Sequence, residues 1–125
     1  MASALSTPNA PAVPSNPLPL YPPKSLLYVS GQIPLLPNGT LIRSTITEEP
    51  RIALSNAAAI LKEAGTTLEN VIKATVFLAD MGDFAEINEE YLPWFKWEVK
   101  PARSCVAVRQ LPKGARVEVE VVAFV

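Results

Sequence analysis

Short runs of apolar residues predict five β-strands along the chain. The first covers residues 26–30, and the Asn38-Gly39 turn after it predicts a return strand, because both residues tolerate positive φ. The run Val71–Leu78 is apolar on both faces, which is typical of a central strand. Two last strands near 103–109 and 115–124 are joined as a hairpin, and the alternation in 117–121 requires one polar face.

Two further stretches have the features of helices. Residues 49–64 place Pro50 in a first turn, acidic residues before it and Gly65 where the helix should end. Asp83 is a suitable N-cap for a helix over 84–95, with Glu86 completing a capping box. The residues of that helix that should face the core recur at helical spacing: Phe84, Ile87, Tyr91 and Trp94. Strands alternating with helices in this order predict one α+β domain.

The first 23 residues differ in composition from the rest. They hold seven of the 13 prolines and none of the charged residues, so they form neither a helix nor a membrane span. We interpret 1–23 as a proline-rich arm and 24–125 as the folded domain. Residues 1–15 are typical of a loose terminus, whereas the leucines and Tyr21 in 17–23 favour docking on the domain.

Composition excludes several classes of protein. A chain of 125 residues without histidine has no Ser-His-Asp triad, no Cys-His pair and no His-ligated zinc. One cysteine excludes an intrachain disulfide and a CxxC motif, and no secretory or transit signal is present. We therefore expect a reducing, cytoplasmic location. A net charge of −1 gives no support to nucleic-acid binding by phosphate neutralisation, and we expect no nucleic-acid or membrane partner.

Neither a phosphate loop nor a metal site is indicated by the motifs. The five glycines are too scattered for a GxGxxG turn or a P-loop. Asp80 and Asp83 flank a turn without a third ligand nearby, and we interpret them as a cap and a loop residue rather than as cation ligands.

A candidate anion site lies in Pro101–Val106. Arg103 is either a solvated surface residue or a rigidly held guanidinium that captures a small carboxylate through two hydrogen bonds. Cys105 projects from the same strand face, where a packed thiol is a better interpretation than a nucleophile without a base. Glu118 and Glu120 share one face of the last strand, which is either simply a solvated strand face or, if the hairpin places one of them beside Arg103, part of the same pocket. Spacing alone does not choose between them.

Five segments, in order from about Leu26 to the C-terminus, together resemble the Rid family of reactive-intermediate deaminases, also called the YjgF family. They are Ser30–Pro34, Val71–Met81, Asp83–Asn88, Pro101–Val106, and Leu111–Gly114 ahead of Val117–Glu120. The resemblance implies a chorismate-mutase-like α+β fold, in which two helices pack on one face of a mixed sheet. It further implies a homotrimer with sites in the clefts between subunits. It also implies hydrolysis of enamine and imine intermediates, such as 2-aminoacrylate, to 2-keto acids and ammonia without a cofactor.

Roles for individual residues follow from the same resemblance. Arg103 would bind the substrate carboxylate, and Glu118 would orient the attacking water. Backbone groups of Gly31 and Cys105 would line the pocket, with Asn88 near the same cleft. The family tyrosine that reaches the pocket has no secure counterpart here, and Tyr21 is the candidate.

Two other functions use the same residues differently. A non-catalytic trimer that binds 2-keto acids or related carboxylates would need Arg103 but would not turn over an imine. An RNA-cleaving translation inhibitor is the third possibility, and the charge balance does not favour it.

Overall fold

Four strands form one mixed sheet in the computed structural model, which describes residues 25–125. They are β1 (Leu26–Gln32), β2 (Val71–Leu78), β3 (Ala102–Ala107) and β4 (Val117–Phe124), in the order β1-β4-β2-β3. The central position of β2 is confirmed. The expected hairpin is wrong: β2 lies between the last two strands, antiparallel to β4 and parallel to β3. A parallel pair needs a long crossover, which the helical segment after β2 supplies.

The predicted return strand is also absent from the described part of the chain. The turn itself forms, with Gly39 at φ 88° and its N–H donating to the Leu36 carbonyl at 2.9 Å. Beyond it a single bridge joins Leu35 and Leu41. Pro34 and Pro37 lack the N–H groups that a longer ladder would use.

Helix α1 runs over Glu48–Glu63 and ends as the sequence predicts. Gly65 takes a positive φ of 85°, and its N–H donates to the Lys62 carbonyl at 3.0 Å. The N–H of Thr66 donates to the Leu61 carbonyl at 2.9 Å, which completes a Schellman motif.

Helix α2 is shorter than predicted and has a different cap. It runs over Phe84–Tyr91 and continues as a 3₁₀ turn at Leu92–Trp94, because Pro93 has no N–H for the helical ladder. The expected capping box is wrong, since the Asp83 side chain caps nothing. Asp80 acts as a cap one turn earlier, and its carboxylate accepts from the Gly82 N–H at 2.8 Å.

Both helices pack on the same face of the sheet, which we call the helix face. The residues of β2 and β4 that point to it are fully buried: Ala74, Val76, Leu78, Val117, Val119, Val121 and Ala123. The other side, the open face, carries Tyr28, Phe77, Val106, Glu118, Glu120 and Val122, which are exposed or half-buried. The core therefore lies entirely between the helices and one side of the sheet.

Strand β1 contains a bulge opposite β4. Val29 pairs with Val121 and Gln32 with Val119, so Ser30 and Gly31 together oppose one residue, Glu120. Such an extra residue bends a strand locally and re-aims its neighbours. Here it brings the Gly31 backbone over the Glu118 side chain on the open face.

An ion pair between the buried Glu49 and the partly exposed Arg116 holds the segment before α1 in place. Glu49 is 1% exposed, and its carboxylate pairs with Arg116 and accepts from the Ser44 N–H at 3.0 Å. Arg116 also donates to the Ser44 carbonyl at 3.1 Å. These bonds join the loop at 44–49 to the start of β4.

Candidate functional site

Arg103 lies on the helix face of β3, against one side of α2. Its Nη1 donates to Oδ1 of Asn88 at 2.5 Å. Its Cζ lies 4.8 Å from the ring centroid of Tyr91 and 5.7 Å from that of Phe84. The guanidinium is therefore held by one hydrogen bond and two aromatic rings, all from the same helix.

The sequence places those three side chains on one side of α2. Phe84 and Asn88 are four residues apart and Tyr91 follows three residues later, so they form one stripe along the helix. The strand register places Arg103 opposite this stripe. Arg103 pairs with Ala74 and so points to the same side of the sheet as that buried residue.

No counter-ion neutralises Arg103 among residues 25–125, where the ion pairs join Arg51 to Glu90 and Arg116 to Glu49. The aromatic rings attract a cation without cancelling its charge. A partly buried guanidinium with this surrounding can accept a small carboxylate, to which its planar fork is well matched.

Cys105 follows Arg103 on the helix face and packs against the core. Burial raises the pKa of its thiol above the ordinary value, and the nearby Arg103 opposes that rise. A thiol with a raised pKa is mostly protonated at neutral pH and is a weak nucleophile. The expectation of a packed thiol agrees with this environment.

Glu118 and Gly31 meet on the open face. A Cβ built on Gly31 would lie 2.5 Å from the Glu118 Cδ and 2.7 Å from Oε2, so the backbone approaches the carboxyl closely. Partial burial raises the pKa of Glu118 above the usual value, and the neighbouring charge of Glu120 raises it further. A carboxylate with a raised pKa is a better proton acceptor near neutral pH.

The predicted site residues therefore form two groups that one chain does not bring together. Arg103, Asn88 and Cys105 lie on the helix side, and Gly31 and Glu118 lie on the open face. Arg103 and Glu118 are also two strands and three register positions apart, which is roughly 10 Å in each direction. Tyr21 lies outside the described residues.

The sequence analysis missed part of the Arg103 environment. It assigned Phe84 and Tyr91 to the core, whereas both rings also lie against the guanidinium. The available signal was Asn88, a polar residue on the same helical stripe as the two aromatic residues. The bulge at Ser30-Gly31 had a weaker signal, a glycine within the strand, which often marks a bulge or a close backbone approach.

Residues 25–125 contain neither a cluster of metal-ligating side chains nor a membrane-spanning helix. No three His, Cys, Asp or Glu side chains come together there to hold an ion. No helix in this part of the chain is long and apolar enough to cross a bilayer.

Comparison with known proteins identifies the family. The model of the family described as Endoribonuclease L-PSP matches residues 11–125. The chain belongs to this family. Its relatives include a Rid family protein of Yersinia pestis, YyfA, whose crystal structure covers 80% of each chain at 44% identity and a TM-score of 0.77. The resemblance to Rid proteins and their α+β fold is thereby confirmed.

Two other relatives carry functional information. The human 2-iminobutanoate/2-iminopropanoate deaminase is 47% identical over 99 residues, which is 78% of this chain and 72% of the human protein. TdcF of Escherichia coli was solved with bound serine; it is 40% identical, with 81% of each chain covered and a TM-score of 0.75.

Proposed function

We propose that this protein hydrolyses 2-imino acids and their enamine tautomers, 2-aminoacrylate among them, to 2-keto acids and ammonia. The observation that carries the proposal is the partly buried Arg103, aligned by α2 and left without a counter-ion in residues 25–125. The name of the human relative and the amino acid bound to TdcF both fit a small substrate with a carboxylate.

The chemistry needs positioning and one proton acceptor. Arg103 binds the substrate carboxylate, and Asn88 keeps the guanidinium in its plane. Water attacks the carbon of the protonated imine while Glu118 takes a proton from that water. Protonated Glu118 returns this proton to the amino nitrogen of the carbinolamine, and the C–N bond breaks as ammonia leaves. The hydroxyl proton then passes to the Glu118 carboxylate as the keto C=O forms. Gly31 and Cys105 line the pocket through their backbone groups.

A complete site then requires a second copy of the chain. The sheet separates Arg103 from Glu118, so both can act on one substrate only if they come from neighbouring subunits. The open face carries apolar side chains suited to such contact, including Tyr28, which is 70% exposed. We propose a homotrimer in which each cleft combines the Arg103 side of one subunit with the Glu118 side of the next.

This reaction needs no cofactor, because water is the nucleophile and a carboxylate is the base. A reducing cytoplasmic location also belongs to the proposal, and a tagged protein in fractionated cells tests it. Small imino or keto acids and copies of the chain itself are the partners that it implies.

The first test follows the decay of 2-iminopropionate generated in situ by an amino-acid oxidase. Wild type should clear the imine, and Arg103→Ala should clear it no faster than buffer. Arg109→Ala, at an exposed position two residues beyond the end of β3, is the matched control and should keep wild-type activity. If wild type and Arg103→Ala clear the imine equally slowly, the protein is not this enzyme.

The second test examines whether sites are shared between subunits. Arg103→Ala and Glu118→Gln chains are each expected to be inactive, but unfolding and reassembling them together should restore about a quarter of the sites. Mixing that restores nothing, while size-exclusion chromatography shows mixed trimers, would contradict the shared site.

The alternatives have their own outcomes in these tests. A binding protein would show stabilisation by a 2-keto acid on heating but no turnover. RNA cleavage would require RNA binding that weakens steeply with salt.

A further inference from the structure

Tyr91 has three features that the proposed reaction does not use. Its side chain is 4% exposed, its hydroxyl has no hydrogen-bond partner among residues 25–125, and its ring lies under Arg103 at 4.8 Å. A buried hydroxyl without a partner costs free energy, so the residue carries a cost that phenylalanine would avoid. The ring, which phenylalanine would also supply, is the part of the side chain that contacts Arg103.

The Tyr91 ring is held in place by a second aromatic residue. Phe95 stacks against Tyr91 with ring centroids 4.8 Å apart and planes inclined by 31°. Phe95 is 1% exposed and belongs to the core, so the Tyr91 ring has little freedom to turn. It is therefore a rigid surface on which a planar guanidinium can rest.

The hydroxyl does not turn the contact into an ion pair. Burial raises the pKa of Tyr91 to about 12, although Arg103 opposes the rise. The phenol is consequently neutral at any physiological pH, and it leaves the positive charge of Arg103 uncancelled. A carboxylate in the same position would compete with the substrate.

We propose that Tyr91 is a positioning residue whose ring fixes the plane of the Arg103 guanidinium, while Asn88 fixes its rotation within that plane. The remaining N–H groups then point in a constant direction toward an incoming carboxylate. For catalysis this inference rests on the proposed function, because the carboxylate belongs to the imino acid. The contact between ring and guanidinium can be tested without it.

The kinetic test compares Tyr91→Leu with Tyr91→Phe in the imine assay. Loss of the ring should raise KM about tenfold, because the substrate would then have to order a mobile guanidinium, with kcat within about threefold of wild type. Tyr91→Phe keeps the ring and should restore KM to within about twofold. Ile87→Ala, a buried truncation on the same helix, should lower the melting temperature and leave KM unchanged.

A second readout needs neither substrate nor turnover. In ¹⁵N-arginine NMR of the wild type, the Arg103 guanidinium protons should be shifted by ring currents relative to those of the exposed Arg109, and the shift should be retained in Tyr91→Phe. If wild type hydrolyses no imine but shows this shift, the proposed function fails and the positioning role stands. Arg103 signals resembling those of Arg109, or an equal KM in Tyr91→Leu and Ile87→Ala, would overturn the role of Tyr91.

Discussion

The two sides of the sheet present their candidate site residues in different ways. On the helix side, Arg103 is held by Asn88 and by two rings before any ligand arrives. On the open face, Glu118 touches the Gly31 backbone and has Glu120 as a like-charged neighbour. One group of residues is preorganised by a single chain, and the other lies on a surface that a second chain would cover.

This difference suits the helix side to substrate binding and the open face to proton transfer. Preorganised groups lower the cost of binding a substrate, because little ordering is left to do. A carboxylate repels an anionic substrate and so contributes little to binding it, whereas its raised pKa makes it a suitable proton acceptor. Changes on the helix side should therefore act mainly on KM, and changes on the open face mainly on kcat.

The largest effect is expected from Glu118→Gln, which removes the proton acceptor. The kcat should fall about 100-fold or more, in the range measured for the loss of a general base, while KM changes little. Glu120→Gln is the matched control on the same strand face and should keep most of the activity. Equal losses in both variants would remove Glu118 from its assigned role.

The same residue predicts the pH dependence of the wild type. The ionised carboxylate is the active form, so kcat should fall as the pH decreases through the pKa of Glu118. Because that pKa is raised, the fall should begin at a higher pH than for an ordinary glutamate. Removing the neighbouring charge with Glu120→Gln should lower the pKa of Glu118 and move the fall in kcat to lower pH. A pH profile of kcat for the wild type and this variant checks the direction.

Asn88→Asp should have the next largest effect, on the helix side. It places a carboxylate where the amide oxygen now accepts from Arg103, and the resulting ion pair competes with the substrate. We expect KM to rise about tenfold to a hundredfold, because the substrate carboxylate must then compete with a close charge pair. Asn88→Ser removes the bond without adding charge and should cost less. A larger rise in KM for serine than for aspartate would contradict the electrostatic explanation.

Gly31→Ala should have a smaller effect, confined to kcat. The added Cβ would meet the end of the Glu118 side chain, which is flexible enough to move aside. We expect about a tenfold loss of kcat from a misplaced base and little change in melting temperature. In a Glu118→Gln background the same substitution should cost nothing further, and an additive loss would mean that Gly31 acts elsewhere.

Glu49→Gln should change neither kinetic constant, because the ion pair with Arg116 lies outside both groups. It should destabilise the fold by about 1 to 3 kcal/mol, since the Glu49 carboxylate is buried while Arg116 is 40% exposed and partly screened. Thermal or urea unfolding measures the loss. A change in KM would show that the loop before α1 affects the geometry of the site.

Local patterns in the sequence predicted the elements better than their arrangement. The Schellman end of α1 and the central position of β2 both follow from side-chain identity at known spacings. The insertion of β2 between β3 and β4 did not, because short-range pattern does not encode which strands pair. The insertion of β2 also keeps Arg103 and Glu118 apart within one chain.

The site showed the same division. The character of Arg103 and Glu118 was readable from residue type and from the resemblance to Rid proteins. The rings of Phe84 and Tyr91 under the guanidinium depend on the packing of α2 against β3, and Gly31 depends on a bulge in β1. Both are tertiary features, for which Asn88 on α2 and Gly31 within β1 are only partial local signals.

The strand order also determines when the fold can form. β4 lies between β1 and β2 although it follows both of them in the chain, and the Val125 N–H reaches back to the Ser25 carbonyl at 2.8 Å. Among residues 25–125, strand β1 pairs in the sheet with β4 alone, so it joins the sheet only after a long loop has closed, and such non-local pairing slows folding. Until that loop closes, the chain exposes an unpaired apolar strand edge, which is a surface on which aggregation can begin.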